Sequence, residues 1–144
     1  MLPSKAAFTA ERPFDIAAAR RYLHAREEGR RQSRFALWQQ ARADAERIID
    51  MVIARFNPSR IIQWGSVLEP RHFSAISDID LAIEGVGSLE FLTLFRLAEA
   101  ETKFPLDVVR WENLEPEFQR VILMKGEIRY RRLISSSNSE RTGH

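Results

Sequence analysis

The sequence predicts an α/β (α+β) domain: a small mixed sheet of three to four strands with helices packed against it, preceded by an N-terminal helical extension. Two observations carry this. Three short apolar runs, RIIQW (Arg60–Trp64), DIDLAIE (Asp78–Glu84) and PLDVVRW (Pro105–Trp111), have the β-branched or alternating character of strands and are bounded by Gly, Pro or polar residues. Helical patterns separate and flank them, which is the order of a sheet covered by helices. At 144 residues the chain is the size of one ordinary domain and can bury a core without cross-links. We place the helical extension at 1–34, the main domain at 35–134 and a Ser-rich, polar, disordered tail at 135–144.

Asp15 suits an N-cap, and from there to Arg55 the chain is rich in Ala, Arg, Leu and Glu, which predicts two helices or one broken near Gly29. Trp38, Ala41, Ala45, Ile48, Val52 and Phe56 recur at helical spacing and form a stripe that must pack on something. Asn57, Pro58 and Ser59 end the helix, the first strand follows, and Gly65 to Ser77 reads as a loop. After the second strand, Ser88 can cap a helix that turns Leu92, Phe95 and Ala98 inward. After the third, Pro116 opens a helix carrying Phe118, Val121 and Ile122, and Gly126 stops it. Ile128 to Leu133 reads as a short edge strand.

Composition narrows the chemistry. With no Cys, disulfides, thiolate metal sites and cysteine nucleophiles are excluded, so any metal must take oxygen or imidazole ligands. A net charge of +2 is too mild to point to nucleic acid as a partner. Arginines 20, 21, 26, 30, 31 and 34 cluster near the N-terminus and offer a basic docking surface. No apolar run approaches the ~20 residues of a membrane span and no leader pattern precedes the domain, so the expected location is the cytoplasm.

One constellation carries reactive groups. Asp78 and Asp80 are two apart on a predicted strand, so both carboxylates project from one face while Ile79 turns into the core. Asp107 lies between apolar Leu106 and Val108 in the third strand, where an unpaired charge would be costly, so it too should have a partner. If the three meet, each pair at about 4 Å repels by roughly 4 kcal/mol at an effective dielectric near 20, which calls for a cation or a proton. Mg²⁺ fits an all-oxygen set that also needs substrate phosphates. Gly65 and Ser66, directly after the first strand, suit a phosphate cradle, because glycine lets backbone amides approach closely and the hydroxyl adds a donor.

Gly65, Ser66, then Ser77, Asp78, Ile79, Asp80 and Leu81, a later Asp107 in LDVVRW, and LEPEFQRVILMKGEIRY (Leu114–Tyr130) together resemble the minimal nucleotidyltransferases of the DNA polymerase beta superfamily. The resemblance covers about half of the chain, with the helix Leu37–Phe56 fitting more loosely. It implies a nucleotidyltransferase fold and transfer of AMP from ATP to an acceptor hydroxyl, with two Mg²⁺ ions held by Asp78, Asp80 and Asp107. Gly65, Ser66 and Ser77 would hold the nucleotide, and Asp107 could serve as general base. It further implies an antitoxin whose acceptor is a tyrosine of a cognate HEPN-domain toxin; self-association is left open. The loop Val67–Ser77 departs from the family pattern, with Glu69 and Pro70 where Arg and Gly often stand. The alternative reading is therefore a catalytically weak antitoxin that acts as a binding module by occluding its toxin.

Overall fold

The computed structural model describes residues 13–133. The expected tail 135–144, and residues 1–12 of the expected extension, lie outside the described residues. By its internal contacts the chain divides into two units, Met1–Ser33 and Arg34–His144.

The first helix, α1 (Ile16–Phe56), is continuous through Gly29, which corrects the expected break. A single glycine in a helix interior costs only ~1 kcal/mol relative to alanine, which a long helix absorbs. Asp15 caps it as expected, its Oδ1 accepting from the Ala18 amide at 3.0 Å. Within the first unit, Arg20, Arg21, Arg26, Arg30 and Arg31 are exposed. Arg31 pairs with Glu28 at 3.2 Å, one turn away.

In the second unit, Ala41, Ala45, Ile48, Ile49 and Val52 of α1 are buried. Asn57, at φ 47°, and then Pro58 turn the chain out of the helix. The sheet has four strands, β1 (Arg60–Trp64), β2 (Ile79–Glu84), β3 (Leu106–Arg110) and β4 (Glu127–Arg131), in the order β3-β2-β1-β4. β1 runs antiparallel to β2 and to β4, whereas β2 and β3 are parallel and joined through α2 (Ser88–Glu99), so the sheet is mixed. α3 (Pro116–Lys125) leads into β4, with Pro116 in its first turn. Gly126 follows at φ −92°, not in a left-handed turn: glycine is needed because a Cβ would lie 2.6 Å from the Ile122 carbonyl and 2.7 Å from that of Gln63.

The alternation of each strand divides the side chains between two layers. One face carries Ile61, Ile79, Leu81, Ile83 and Val108 against α1 and against Leu94 and Ala98 of α2. The other carries Ile62 and Ala82 against Trp111 and Ile122. In α2 the inward residues are Phe91, Leu94, Phe95 and Ala98, and Leu92 is 65% exposed, which corrects its expected inward position. The spacing 91-94-95-98 is the helical stripe that the sheet selects. Helix α2 begins after Gly87, so Ser88 is its first residue, not its cap.

The loop after β1 is more than a connection. It winds into two 3₁₀ turns, Ser66–Leu68 and Pro70–His72, and sends Val67 and Phe73 into the core, Phe73 packing edge-on against Phe104 at 5.4 Å. Phe73→Ala is expected to cost about 3–5 kcal/mol, because the ring is fully enclosed and its cavity would be walled by sheet and helix. Urea denaturation measures this directly, and a loss below about 1 kcal/mol would mean that the loop is not anchored there.

Candidate functional site

Strand register brings the acids together. In the parallel β2–β3 ladder Asp80 stands opposite Asp107, so both carboxylates leave the same face of the sheet, the one that also carries Ala82 and Ile62. Asp78 is the residue just before β2, not its first strand residue, and Ile79 between them is fully buried on the other face. One carboxylate oxygen from each of Asp78, Asp80 and Asp107 lies within 4.8 Å of the others. The expected convergence is therefore present among the described residues.

Their environments differ. Asp80 is partly buried, whereas Asp78 and Asp107 are exposed. This reverses the expectation that Asp107 would be the costly buried charge: its neighbours Leu106 and Val108 face the α1 side, so Asp107 itself points out to water. The Asp80 carboxyl is pushed up from its usual 3.8 to about 7, first by burial, then by the negative charge of Asp107 and of Asp78.

That shift has a sign. Unfolded, Asp80 titrates near its usual 3.8, so between about pH 4 and 7 the folded protein holds a proton that the unfolded chain has released. Stability of the metal-free protein is then fully present below about pH 4 and is lost as pH rises to about 7. Because the group is only half-buried, screening trims the effect to roughly 1–2 kcal/mol. Urea unfolding at pH 5 and pH 8 in chelator-treated buffer is expected to show this fall, and Asp80→Asn is expected to flatten it. A rise in stability over the same interval would contradict the assignment.

Gly65 follows Trp64 of β1, which pairs with Asp80 across the antiparallel ladder. Its φ of 83° and ψ of −159° lie in a region open essentially to glycine alone. A Cβ there would overlap the Asp80 Oδ2. The Gly65 backbone is thus pressed against the Asp80 carboxylate, which places the expected phosphate turn and the acids side by side. The turn closes on itself, the Leu68 amide donating to the Gly65 carbonyl at 3.1 Å and the Glu69 amide to the Ser66 carbonyl at 2.9 Å. From α1, the Trp38 indole donates to the Val67 carbonyl at 2.7 Å and holds the turn from behind. Nothing local in the sequence signals that long-range bond. Ser77 accepts from the Ser74 amide at 3.0 Å through its hydroxyl, so it shapes the turn that delivers Asp78. Trp64 meets Phe118 of α3 edge-on at 6.2 Å beside the site, and Trp111 stacks under Arg60 at 4.6 Å in the second layer.

An all-oxygen set of three carboxylates, one of them destabilised as an anion by burial and then by its neighbours, fits a hard divalent cation such as Mg²⁺. Among the described residues no helix is long and apolar enough to cross a membrane.

A mixed four-stranded sheet with acids at the ends of adjacent strands and a glycine turn beside them is a nucleotidyltransferase-like α/β fold, the fold class that the sequence predicts. The chain is similar to one in the crystal structure of a toxin–antitoxin MntA-HpeT mutant, with a TM-score of 0.50 and 16% identity over 67% of this chain and 77% of that one. A crystal structure of a toxin–antitoxin with AMP-PNP matches at a TM-score of 0.49 and 16% identity, over 67% of this chain and 78% of that one. No protein-family model matches the sequence, and no curated protein matches it significantly.

Proposed function

We propose that this protein is an antitoxin that transfers AMP from Mg²⁺-ATP to a hydroxyl of a protein acceptor, a tyrosine of a cognate HEPN-domain toxin. The observation that carries the reading is the meeting of Asp78, Asp80 and Asp107 within 4.8 Å, beside a turn whose glycine backbone touches Asp80. The toxin–antitoxin pair in the structure that shares the fold supports the choice of a toxin as partner.

In this reading the triphosphate would lie along the Gly65–Ser66 turn, where glycine lets backbone amides approach its oxygens and the Ser66 hydroxyl adds a donor. Asp78 and Asp80 would hold Mg²⁺, with Asp107 completing the set. Bound there, Mg²⁺ would offset the carboxylate charge and polarise the phosphoryl oxygens. The acceptor oxygen attacks the α-phosphorus of ATP, the bond from that phosphorus to the bridging oxygen breaks, and pyrophosphate departs. Asp107 takes the acceptor's proton; it is the exposed acid on the edge strand, where the side chain of a macromolecule can reach it.

The test is the intact mass of the toxin after incubation with this protein, Mg²⁺ and ATP. An increase by one or more adenylates, absent with Asp78→Asn, supports transfer. Toxin that stays unmodified yet inhibited supports occlusion instead.

A further inference from the structure

On the sheet face opposite the acids lies a cavity of about 170 Å³ between α1, the turn after β1, and β4. Gln63 of β1 lines it; paired with the buried Leu81, it shares the α1-facing layer and is only 1% exposed. Its Oε1 accepts from the Arg129 guanidinium, which fixes the amide orientation, since a flipped amide would set donor against donor. The Nε2 is left buried with no acceptor among the described residues, an arrangement that native interiors rarely leave uncompensated.

Two guanidiniums face the same space. Arg129 is engaged by Glu46 and Gln63. Arg42 lies over the Trp38 ring at 5.4 Å from its centroid, and it forms no ion pair among the described residues. The two cations are close enough that Arg42, after burial, helps hold the Arg129 pKa below its ordinary value. Glu127 also lines the cavity, yet it does not accept from the Gln63 Nε2. Among the described residues the space therefore offers an orphan neutral donor and a guanidinium without an ion pair.

We propose that this cavity binds a small free oxyanion, of the size and charge of phosphate or sulfate, between Gln63 Nε2, Arg42 and Arg129. The volume is below the ~300 Å³ at which sites for drug-sized ligands begin, which excludes a nucleotide. Val67 and Leu68 form part of the wall, so the bound anion would rest against the back of the turn that Trp38 holds.

The test is a sulfate titration of the ¹⁵N-labelled full-length protein at constant ionic strength, with chloride as the balancing salt. The Gln63 side-chain amide is expected to shift with saturation, and Arg42→Ala, an exposed change that spares the core, is expected to weaken the midpoint by about tenfold or more. A Gln63 amide that does not move, one that drifts without saturating, or shifts confined to the Gly65 and Ser66 amides would overturn the proposal.

Discussion

Asp80→Asn is expected to lower the rate of adenylyl transfer by about 10³-fold or more while leaving the fold intact. Asparagine keeps the size of the side chain but removes the negative charge from the middle of the acid set, the one residue that stands opposite Asp107 in the ladder and beside Gly65. The same substitution removes a carboxyl that burial and its neighbours hold near a pKa of about 7, so the metal-free variant should be as stable as wild type, or more so, at pH 8. Loss of activity with gain of stability separates a site residue from a structural one. Urea midpoints and transfer rates on the same preparation check both. Equal rates in variant and wild type would remove Asp80 from the reaction.

Gly65→Ala is expected to act through both strain and displacement. At φ 83° an alanine is held in a conformation that costs about 1–3 kcal/mol, and its methyl would occupy the space of the Asp80 Oδ2. Relief requires the turn or the carboxylate to move, and a misplacement of about 1 Å at a reacting centre can cost about 10²-fold in rate. The expected result is a destabilisation of about 2 kcal/mol together with at least that loss of transfer. Wild-type activity in Gly65→Ala would mean that the contact between turn and acid has no part in catalysis.

Local pattern carried much of this architecture. RIIQW is a strand over the residues expected, because a short β-branched run between Pro58-Ser59 and Gly65 has few other uses. The stripe from Ala41 to Val52 is buried as its spacing predicts. The acid pair around Ile79 was legible too, since an apolar residue between two acids on a half-buried strand must send the acids to one side.

What was not legible depends on distant partners. That β4 lies next to β1 follows from where α3 ends, and a strand of EIRYR carries no mark of its neighbour. Leu92 and Leu94 are alike in isolation, and only the sheet decides which is buried. Asp107 looked enclosed from its apolar neighbours, yet the alternation sends those neighbours to the opposite layer, and Asp80 is the acid that loses water. Phe73 and the Trp38 bond to the Val67 carbonyl lie outside any periodic signal: one anchors an irregular loop, the other spans 29 positions.

A Mn²⁺ titration followed by electron paramagnetic resonance reads the acid set itself, because bound Mn²⁺ loses the sharp signal of the hydrated ion. Wild-type protein should bind Mn²⁺ with saturation, Mg²⁺ should displace it, and both Asp80→Asn and Asp107→Asn should weaken binding by tenfold or more. Identical titrations for the wild type and both variants would show that these carboxylates, though neighbours, do not hold a metal.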